Sequence, residues 1–368
     1  MTKRTYIFAG GGTGGHLYPG LAVAQQLMTL SGDAQIVFAC SDRKIDCSIL
    51  SASPYAFAPQ SVRPIPRRLT GWVAFCKALL RSRSEARQIV SDLKPAAIFG
   101  LGGFAAGPVV REAARRSVPC CLLSIDAVPG VANKLLARNV SAIFTQFAGT
   151  ASRYGSSGDK ARVVGCPIRQ ELLEGSRDSA IALWGLRPDR KTLLIMAGSL
   201  GATNINQAVA QLVREMDKLA EHWQVLHVSG AGKLEEVRQA YGKARMHNVV
   251  LEYCDRMDLA YAAADLVLSR SGASTIGELS AVSKPSVLMP YPYHRDQQQL
   301  HNAKELIQAG AAVVATDTCD VAKNLVNLRQ TLLAILESPT RLEAMRTAAE
   351  RTSRPAAALE IAKWLAQQ

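Results

Sequence analysis

The chain has 368 residues, 48% of them hydrophobic, and a formal net charge of +13. This length suits two domains, each with its own hydrophobic core. Residues 1–160 hold 19 lysines and arginines against 8 acidic residues, so an anionic partner is expected in the first half. No apolar run approaches the roughly 18 residues of a membrane-spanning helix, and none near the start has the length of a signal peptide. We therefore expect a cytosolic protein whose eight cysteines, which lack metal-ligand spacing, are reduced thiols.

Short apolar runs alternate with helix-like stretches, which is typical of parallel sheets covered on both faces by helices. In the first half we predict strands at 5–9, 35–39, 96–100, 120–124 and 142–146, and helices at 17–29, 69–93 and 107–116. A second series predicts strands at 192–198, 224–230, 248–253, 265–270, 285–290 and 311–315, followed by helices over 321–368. The predicted class is α/β, with two Rossmann-like, doubly wound domains over 1–165 and 166–345, and with helices over 346–368 that return to the first domain.

A glycine-rich turn, "AGGGTGGH" at 9–16, follows the first predicted strand. Its glycines match G-x-G-x-x-G, which alone is weak evidence for a dinucleotide site. Glycines let the backbone approach a ligand closely, and the free amides of a helix start attract anions. His16 follows at the positive end of a helix, which disfavours a second charge, so a neutral imidazole that acts as a base is one interpretation. A histidine that only caps or packs locally is the other.

The second half repeats this pattern in "MAGSLGATNIN" at 196–206, where Ser199 can donate to a phosphate oxygen. In "SRSGASTIGELS" at 269–280, Glu278 could accept hydrogen bonds from two ribose hydroxyls, although a solvated helical residue is the plainer interpretation. The segment 290–306 places Asp296, Gln298, Gln299 and Asn302 near a helix start, a set suited to sugar hydroxyls.

The segment 63–87 carries seven basic residues against one acidic residue, interleaved with large apolar side chains. Apolar anchors beside basic residues are typical of an interfacial helix on anionic lipid. The alternative is a solvated basic helix whose apolar stripe packs on the sheet. Nucleic-acid binding is disfavoured because no recognised motif accompanies the charge. The residues expected to face a membrane are Trp72, Phe75, Lys77, Leu79 and Arg81.

Six segments, in order, resemble the motif series of the MurG family of bacterial N-acetylglucosaminyltransferases: "GGTGGHLYPGLAVA", "GLGGFAAGP", "GCPIR", "GSLGATNIN", "SRSGASTIGE" and "DQQQLHNA". The resemblance implies a GT-B fold, two Rossmann-like domains that face a cleft. It implies transfer of N-acetylglucosamine from UDP-N-acetylglucosamine to lipid I, an undecaprenyl-linked muramyl-pentapeptide, with inversion and without a metal or other cofactor. It also implies a peripheral enzyme on the cytoplasmic face of the bacterial inner membrane, with the acceptor and the membrane bound by the first domain and the UDP-sugar by the second.

The resemblance also implies site residues. His16 is the base that it implies, and Asp126 joins it as an expected catalytic residue because of the departure from the family described next. The residues expected to bind UDP-N-acetylglucosamine are Thr13, Gly14, Gly15, Asp126, Arg169, Ser199, Gly201, Thr275, Glu278, Gln298 and Gln299. Those expected to bind the acceptor are Gly12, Thr13, Gly14, Gly102 and Gly103.

One segment departs from the family. When the chain is aligned on Asn133 and Lys134, residues 123–126 read Leu-Ser-Ile-Asp where MurG proteins usually carry His-Glu-Gln-Asn. Asp126 adds a negative charge beside the expected diphosphates, and it could share the role of base with His16. The identity of the acceptor and the division of catalytic labour therefore stay open.

Four other functions are compatible with parts of the pattern. A related transferase could use another lipid acceptor, and a sugar-nucleotide epimerase of the same fold would consume UDP-N-acetylglucosamine without any acceptor. A nicotinamide-dependent dehydrogenase is suggested only by G-x-G-x-x-G. A non-catalytic binding protein is disfavoured by the number of chemically capable residues. The absence of a D-x-D sequence favours chemistry without a metal.

Overall fold

The computed structural model describes residues 3–12, 14–64, 66, 68–198, 201–242, 244–293 and 296–368. The chain divides into two compact units, residues 1–169 with 355–368, and residues 170–354. In the described residues, no helix combines the length and the hydropathy that crossing a membrane requires.

The first unit is built on a seven-stranded parallel sheet in the order β3-β2-β1-β4-β5-β6-β7. Its strands are β1 Arg4–Gly10, β2 Ala34–Ser41, β3 Ala56–Gln60, β4 Ala97–Gly102, β5 Cys120–Ser124, β6 Ala142–Thr145 and β7 Ala161–Val163. Its helices are α1 Gly14–Leu30, α2 Lys44–Ser51, α3 Trp72–Leu93, α4 Gly107–Arg115, α5 Val131–Leu136 and α14 Ala357–Ala366. The central strands β1, β4 and β5 are buried along their apolar runs because helices cover both faces.

The second unit has a six-stranded parallel sheet in the order β10-β9-β8-β11-β12-β13. Its strands are β8 Lys191–Met196, β9 Trp223–Val228, β10 Asn248–Leu251, β11 Ala264–Ser269, β12 Ser286–Leu288 and β13 Ala312–Val314. Its helices are α6 Arg177–Trp184, α7 Thr203–Arg214, α8 Leu234–Tyr241, α9 Met257–Ala263, α10 Ala273–Ala281, α11 Gln298–Gln308, α12 Val321–Leu336 and α13 Pro339–Arg351. In both units the chain order reverses beside the first strand, which is where ligands bind in such sheets.

The α/β class and every strand predicted from the sequence are present. The structure adds β3 and β7, which are edge strands of the first sheet. Neither has a continuous apolar run, since β3 contains Pro59 and β7 has three residues, so the alternation of apolar runs does not reveal them.

The last helices are divided between the two units at residue 355, not at the predicted boundary of residue 346. The helix α13 stays with the second unit because Leu342 and Met345 are buried in its core. Ser280 and Ser353 add hydrogen bonds there, to the carbonyls of Thr352 and Ala281 at 2.8 and 3.2 Å. Only α14 packs in the first unit, where Trp364 meets the ring of Phe144 at a centroid distance of 6.1 Å.

Candidate active site

The first glycine turn connects β1 to α1 at the switch point of the first sheet. The helix begins at Gly14, so Gly14, Gly15 and His16 form its first turn, three residues earlier than predicted. Thr13 lies outside the described residues. The backbone amides of this first turn have no partners in the preceding turn of helix, which is the general basis of anion binding there.

A buried carboxylate from α2 holds this turn in place. Asp46 accepts hydrogen bonds from the Gly12 amide at 2.7 Å and the Ser41 amide at 3.3 Å, and from the Ser41 hydroxyl. Arg43 donates to the Gly12 carbonyl at 2.8 Å. Gly12 is expected to bind the acceptor, and in the structure its amide donates to Asp46. Asp46 was not predicted from the sequence because one acidic residue in a first helical turn is common.

The imidazole of His16 packs against the second glycine turn, which follows β4. A Cβ at Gly102 would lie 3.2 Å from His16 Cδ2, and one at Gly103 would lie 3.6 Å from His16 Cε1. Burial lowers the pKa of His16 below 6.5, while the charges of Asp126 and Asp46 raise it in part. Burial thus favours the neutral ring at pH 7.

The segment 123–126, whose sequence differs from that usual in the family, runs from the end of β5 into the loop beside His16. Leu123 and Ser124 are buried strand residues, and Asp126 is half-buried. Asn133 donates to the Leu123 carbonyl at 2.8 Å and so ties α5 to the end of β5. Asp126 is therefore close enough to act on the pKa of His16.

Arg169 lies at the end of the first unit with its guanidinium over the ring of Tyr18, at 5.2 Å from the ring centroid. Both side chains are exposed. Tyr18 follows the first turn of α1. Ser199, the expected partner of Arg169 at the UDP diphosphate, lies outside the described residues.

The donor glycine turn follows β8 at the switch point of the second sheet. Gly201 has φ +64°, and its amide donates to the Gly198 carbonyl at 2.9 Å. A Cβ at Gly201 would lie 2.0 Å from the Ser229 carbonyl oxygen, so only glycine fits there. The turn leads into α7, whose N-terminus is the second expected anion site.

A buried polar chain fixes α7 against the sheet. His227 Nδ1 is 2.8 Å from the Tyr241 hydroxyl oxygen, and His227 Nε2 is 3.1 Å from Asn206 Oδ1. Asn206 Nδ2 donates to the Ser229 carbonyl at 2.8 Å, the same carbonyl that Gly201 approaches. Burial lowers the pKa of His227 to about 3, so this ring is a neutral structural link.

Glu278 is anchored rather than simply solvated. It lies half-buried on α10 and accepts a hydrogen bond from the hydroxyl of the buried Tyr261 at 2.7 Å. Burial, followed by the charge of Glu278, raises the pKa of Tyr261, so this hydroxyl stays protonated and donates. The carboxylate is consequently oriented by the protein.

A cavity of about 430 Å³ lies at the carboxyl edge of the second sheet. Of the predicted donor residues, Gly201, Thr275 and Gln299 line it, whereas Glu278 and Gln298 are not in its lining. Gln299 accepts a hydrogen bond from the Tyr291 amide at 2.8 Å, so its side-chain oxygen holds the loop that borders the cavity.

Arg270 and Asp317 also line this cavity, and neither was predicted from the sequence. Their ion pair measures 2.7 Å, and Arg270 also donates to the carbonyls of Met289 and Pro290. Burial works against the charge of Asp317, but hydrogen bonds from Asn324, the Cys319 amide and Arg270 outweigh it and lower its pKa. Their positions in the sequence could have indicated them, because Arg270 directly follows β11 and Asp317 follows β13, at the edge of the sheet where ligands bind.

The predicted membrane residues lie on α3. Trp72 and Phe75 pack edge to face at 5.7 Å, and Trp72 is 44% exposed. Lys77 and Leu79 are exposed, and Arg81 donates to Glu85 at 3.0 Å. The alternative of a stripe packed on the sheet applies to the later turns, where Ala86 and Val90 are buried.

Among the residues that the structure describes, no three His, Cys, Asp or Glu side chains are grouped so that they could hold a metal ion.

Two family models match the chain: the glycosyltransferase family 28 N-terminal domain over residues 6–145 and the family 28 C-terminal domain over 192–361. Two Rossmann-like sheets matched in this order define a glycosyltransferase of the GT-B fold. A protein of Desulforamulus reducens is 33% identical, with 97% of this chain and 96% of that protein covered. One of Thermodesulfovibrio yellowstonii is 34% identical, with 96% of each covered. Both are named UDP-N-acetylglucosamine–N-acetylmuramyl-(pentapeptide) pyrophosphoryl-undecaprenol N-acetylglucosamine transferase. The chain belongs to the MurG family within this class.

Solved structures agree on the fold. A crystal structure of Acinetobacter baumannii MurG has a TM-score of 0.79 at 23% identity, covering 99% of this chain and 100% of that one. A Neisseria meningitidis UDP-GlcNAc 2-epimerase bound to UDP-GlcNAc has a TM-score of 0.69 at 13% identity, covering 99% and 100%. Because one fold serves both chemistries, the function has to be argued from the residues.

Proposed function

We propose that this chain transfers N-acetylglucosamine from UDP-N-acetylglucosamine to lipid I and forms lipid II for peptidoglycan synthesis. The observation that carries this proposal is the identity of 33 to 34% over nearly the whole chain with relatives named for that transfer. The site geometry supports it with two helix N-termini that each follow a glycine turn, a neutral imidazole and an anchored carboxylate.

The second unit binds the donor in this proposal. Gly201, the N-terminus of α7 and Ser199 receive the diphosphate, and Glu278 accepts hydrogen bonds from the ribose. Thr275 serves the phosphate or ribose side, while Gln298 and Gln299 hold the N-acetylglucosamine. The support for this half is the donor cavity with Gly201, Thr275 and Gln299 in its lining.

The first unit binds the acceptor and supplies the base. The diphosphate of lipid I meets the turns at 12–14 and 102–103, and His16 takes the proton of the attacking sugar hydroxyl. The hydroxyl oxygen bonds to the anomeric carbon as the bond from that carbon to the UDP oxygen breaks, and UDP leaves with the electron pair. Attack opposite the leaving group inverts the anomeric centre.

Positive charge and helix amides stabilise the departing UDP in this proposal. Arg169 and the N-terminus of α7 supply them in place of a metal ion. Asp126 is the second candidate base. Its effect on the pKa of His16 supports a role as partner to the imidazole, with a direct contact to donor sugar or acceptor as the alternative.

The enzyme works at the cytoplasmic face of the inner membrane, held by α3. Trp72, Phe75 and Leu79 enter the lipid interface, and Lys77 meets anionic headgroups. Arg81 contributes less because Glu85 offsets its charge. Sedimentation with anionic and with neutral vesicles tests this, and Trp72→Glu is expected to weaken binding to the anionic ones.

The decisive experiment is incubation with labelled UDP-N-acetylglucosamine and lipid I, followed by identification of the lipid product. Label in lipid II supports the proposal. Label in another lipid, offered as a competing acceptor, would assign a related transferase instead. Consumption of UDP-N-acetylglucosamine without any acceptor would indicate an epimerase instead. Protection against thermal unfolding by UDP, but not by NAD, would exclude the nicotinamide-dependent dehydrogenase.

A further inference from the structure

A groove with an apolar floor lies on the first unit between α3, α4 and α5. Its volume is about 180 Å³. Phe75 and Leu79 of α3 form one wall, and Val131 and Leu135 of α5 form the other. Val131 and Leu135 are 65% and 68% exposed, so the wall from α5 offers its apolar side chains to a partner.

The rim of the groove is basic. Five arginines and one glutamate are its charged lining residues. Glu112 lies 4.0 and 3.9 Å from the side chains of Arg87 and Arg115, and Arg63 pairs with Asp42. Within the part of the chain that the structure describes, Arg83 and Arg111 form no ion pair. An apolar floor under a cationic rim is complementary to an apolar chain that carries an anionic head.

The groove is continuous with the first glycine turn through one aromatic ring. Phe104 lines the groove, and a Cβ placed on Gly12 would lie 3.1 Å from Phe104 Cε1. The N-terminus of α4 opens onto the same place, since Gly107 and Pro108 also line the groove. An anion at the glycine turns would therefore hold its apolar substituent at the mouth of this groove.

We propose that this groove binds the first isoprenoid units of the undecaprenol chain, directly behind the diphosphate of the acceptor. This inference rests on the proposed function. It adds a subsite that recognises the lipid as an individual chain, apart from any attachment of α3 to the membrane surface. The wall from α5, with Val131 and Leu135, lies outside the segment 63–87 that is proposed to meet the membrane surface.

The test uses two water-soluble acceptors with the same muramyl-pentapeptide diphosphate. One carries a short isoprenoid tail and the other an ethylene-glycol tail of equal length, and neither assay contains vesicles or detergent. The full-length wild type is expected to have a lower KM for the isoprenoid acceptor, by roughly tenfold, since one methylene in an apolar pocket changes selectivity by about that factor or more.

Leu135→Glu places a charge in the groove at an exposed position, where folding tolerates it. Its KM for the isoprenoid acceptor should rise to that of the glycol acceptor, while its KM for UDP-N-acetylglucosamine stays the same. Ala132→Phe, which fills the groove without charge, should act likewise. Leu183→Glu is the matched control, because Leu183 is an exposed leucine of α6 in the second unit.

Three results would overturn the inference. Equal KM values for the two acceptors in the wild type would show that the chain is not recognised. A loss of vesicle binding by Leu135→Glu, with its KM values unchanged, would show a face that only touches the membrane. Transfer to neither acceptor by the wild type would reject the proposed function itself, and the subsite with it.

Discussion

The surroundings of His16 favour it, rather than Asp126, as the proposed base. The imidazole is neutral, packed on the second glycine turn and under the influence of Asp126. His16→Ala should therefore abolish transfer, by about two to four orders of magnitude for the loss of a general base. Binding of UDP, measured by calorimetry, should be retained because Gly201 and Glu278, which are proposed to hold the diphosphate and the ribose, are in the second unit.

Asp126→Asn is the matched variant for that experiment. It keeps the size of the side chain and removes the charge, so a milder loss is expected. The reverse ranking would move the role of base to Asp126.

The dependence of turnover on pH should report the same imidazole. The base must be unprotonated, so kcat/KM falls as the pH drops through the pKa of His16, and the midpoint lies below 6.5 because burial lowers that pKa. Asp126→Asn removes a charge that raises the pKa, so the midpoint should move to still lower pH. A profile that leaves the midpoint unchanged in this variant would contradict the electrostatic link.

Gly201 has no substitute in the donor turn. In Gly201→Ala the new Cβ meets the Ser229 carbonyl at 2.0 Å while φ stays positive, so the turn must move. Left-handed alanine alone costs roughly 1–2 kcal/mol, which corresponds to about tenfold in an equilibrium constant. We expect the Kd for UDP to rise by at least about tenfold.

Gly185→Ala is the control for that substitution. Gly185 has the same φ of +64° but nothing within 4 Å of its added Cβ. This variant should lose stability from backbone strain without a change in the Kd for UDP. Equal effects of both variants on UDP binding would contradict the role of the Ser229 contact.

At the scale of elements, buried hydrogen bonds fix the positions of the helices and turns that form the candidate site. The carboxylate of Asp46 connects α2 to the first glycine turn, and the Tyr241–His227–Asn206 chain connects β9 to α7. Each link positions the helix or turn whose amides are proposed to face a ligand. A buried polar group that loses its partner costs more than its hydrogen bond contributes, which makes these links sensitive to substitution.

The link through His227 should make stability fall in acid. The unfolded histidine titrates near 6.5 and the folded one near 3, so the unfolded state binds the extra proton between these values. Stability is therefore full above pH 6.5 and decreases as the pH falls, by about 2 kcal/mol between pH 7 and pH 5.

Urea unfolding at both pH values, followed by tryptophan fluorescence, checks this. His227→Gln is expected to be less stable at pH 7 but to lose clearly less than the wild type on going to pH 5. An equal loss in both proteins would assign the acid sensitivity to other groups.

Sequence patterns could place the elements because the buried strands β1, β4 and β8 are continuous apolar runs. The same patterns predicted the glycine turns after β1 and β8 and the candidate residue Glu278. They could not find Asp46, which lies 34 residues from the amide it accepts from, or the pairing of Arg270 with Asp317, because tertiary packing creates those contacts. They also could not show that the Gly12 amide donates to Asp46, since this partner lies on another helix.

At the scale of the whole molecule, charge and acid–base chemistry are expected to replace a metal ion. Transfer should persist in EDTA at the rate measured without it, with labelled lipid as the readout. The control is a metal-dependent transferase assayed in the same buffer. Loss of turnover in EDTA that magnesium restores would contradict the proposed roles of Arg169 and the α7 N-terminus.

The packing of His16 on Gly102 and Gly103 has a consequence for how such enzymes diversify. The backbone of Gly102 and Gly103 fixes the position of the imidazole. The end of β5 is therefore not needed to position it. An exchange of Asp126 for an amide should therefore leave the imidazole of His16 in place. Substitutions at either glycine would be far less tolerated than any exchange at Asp126.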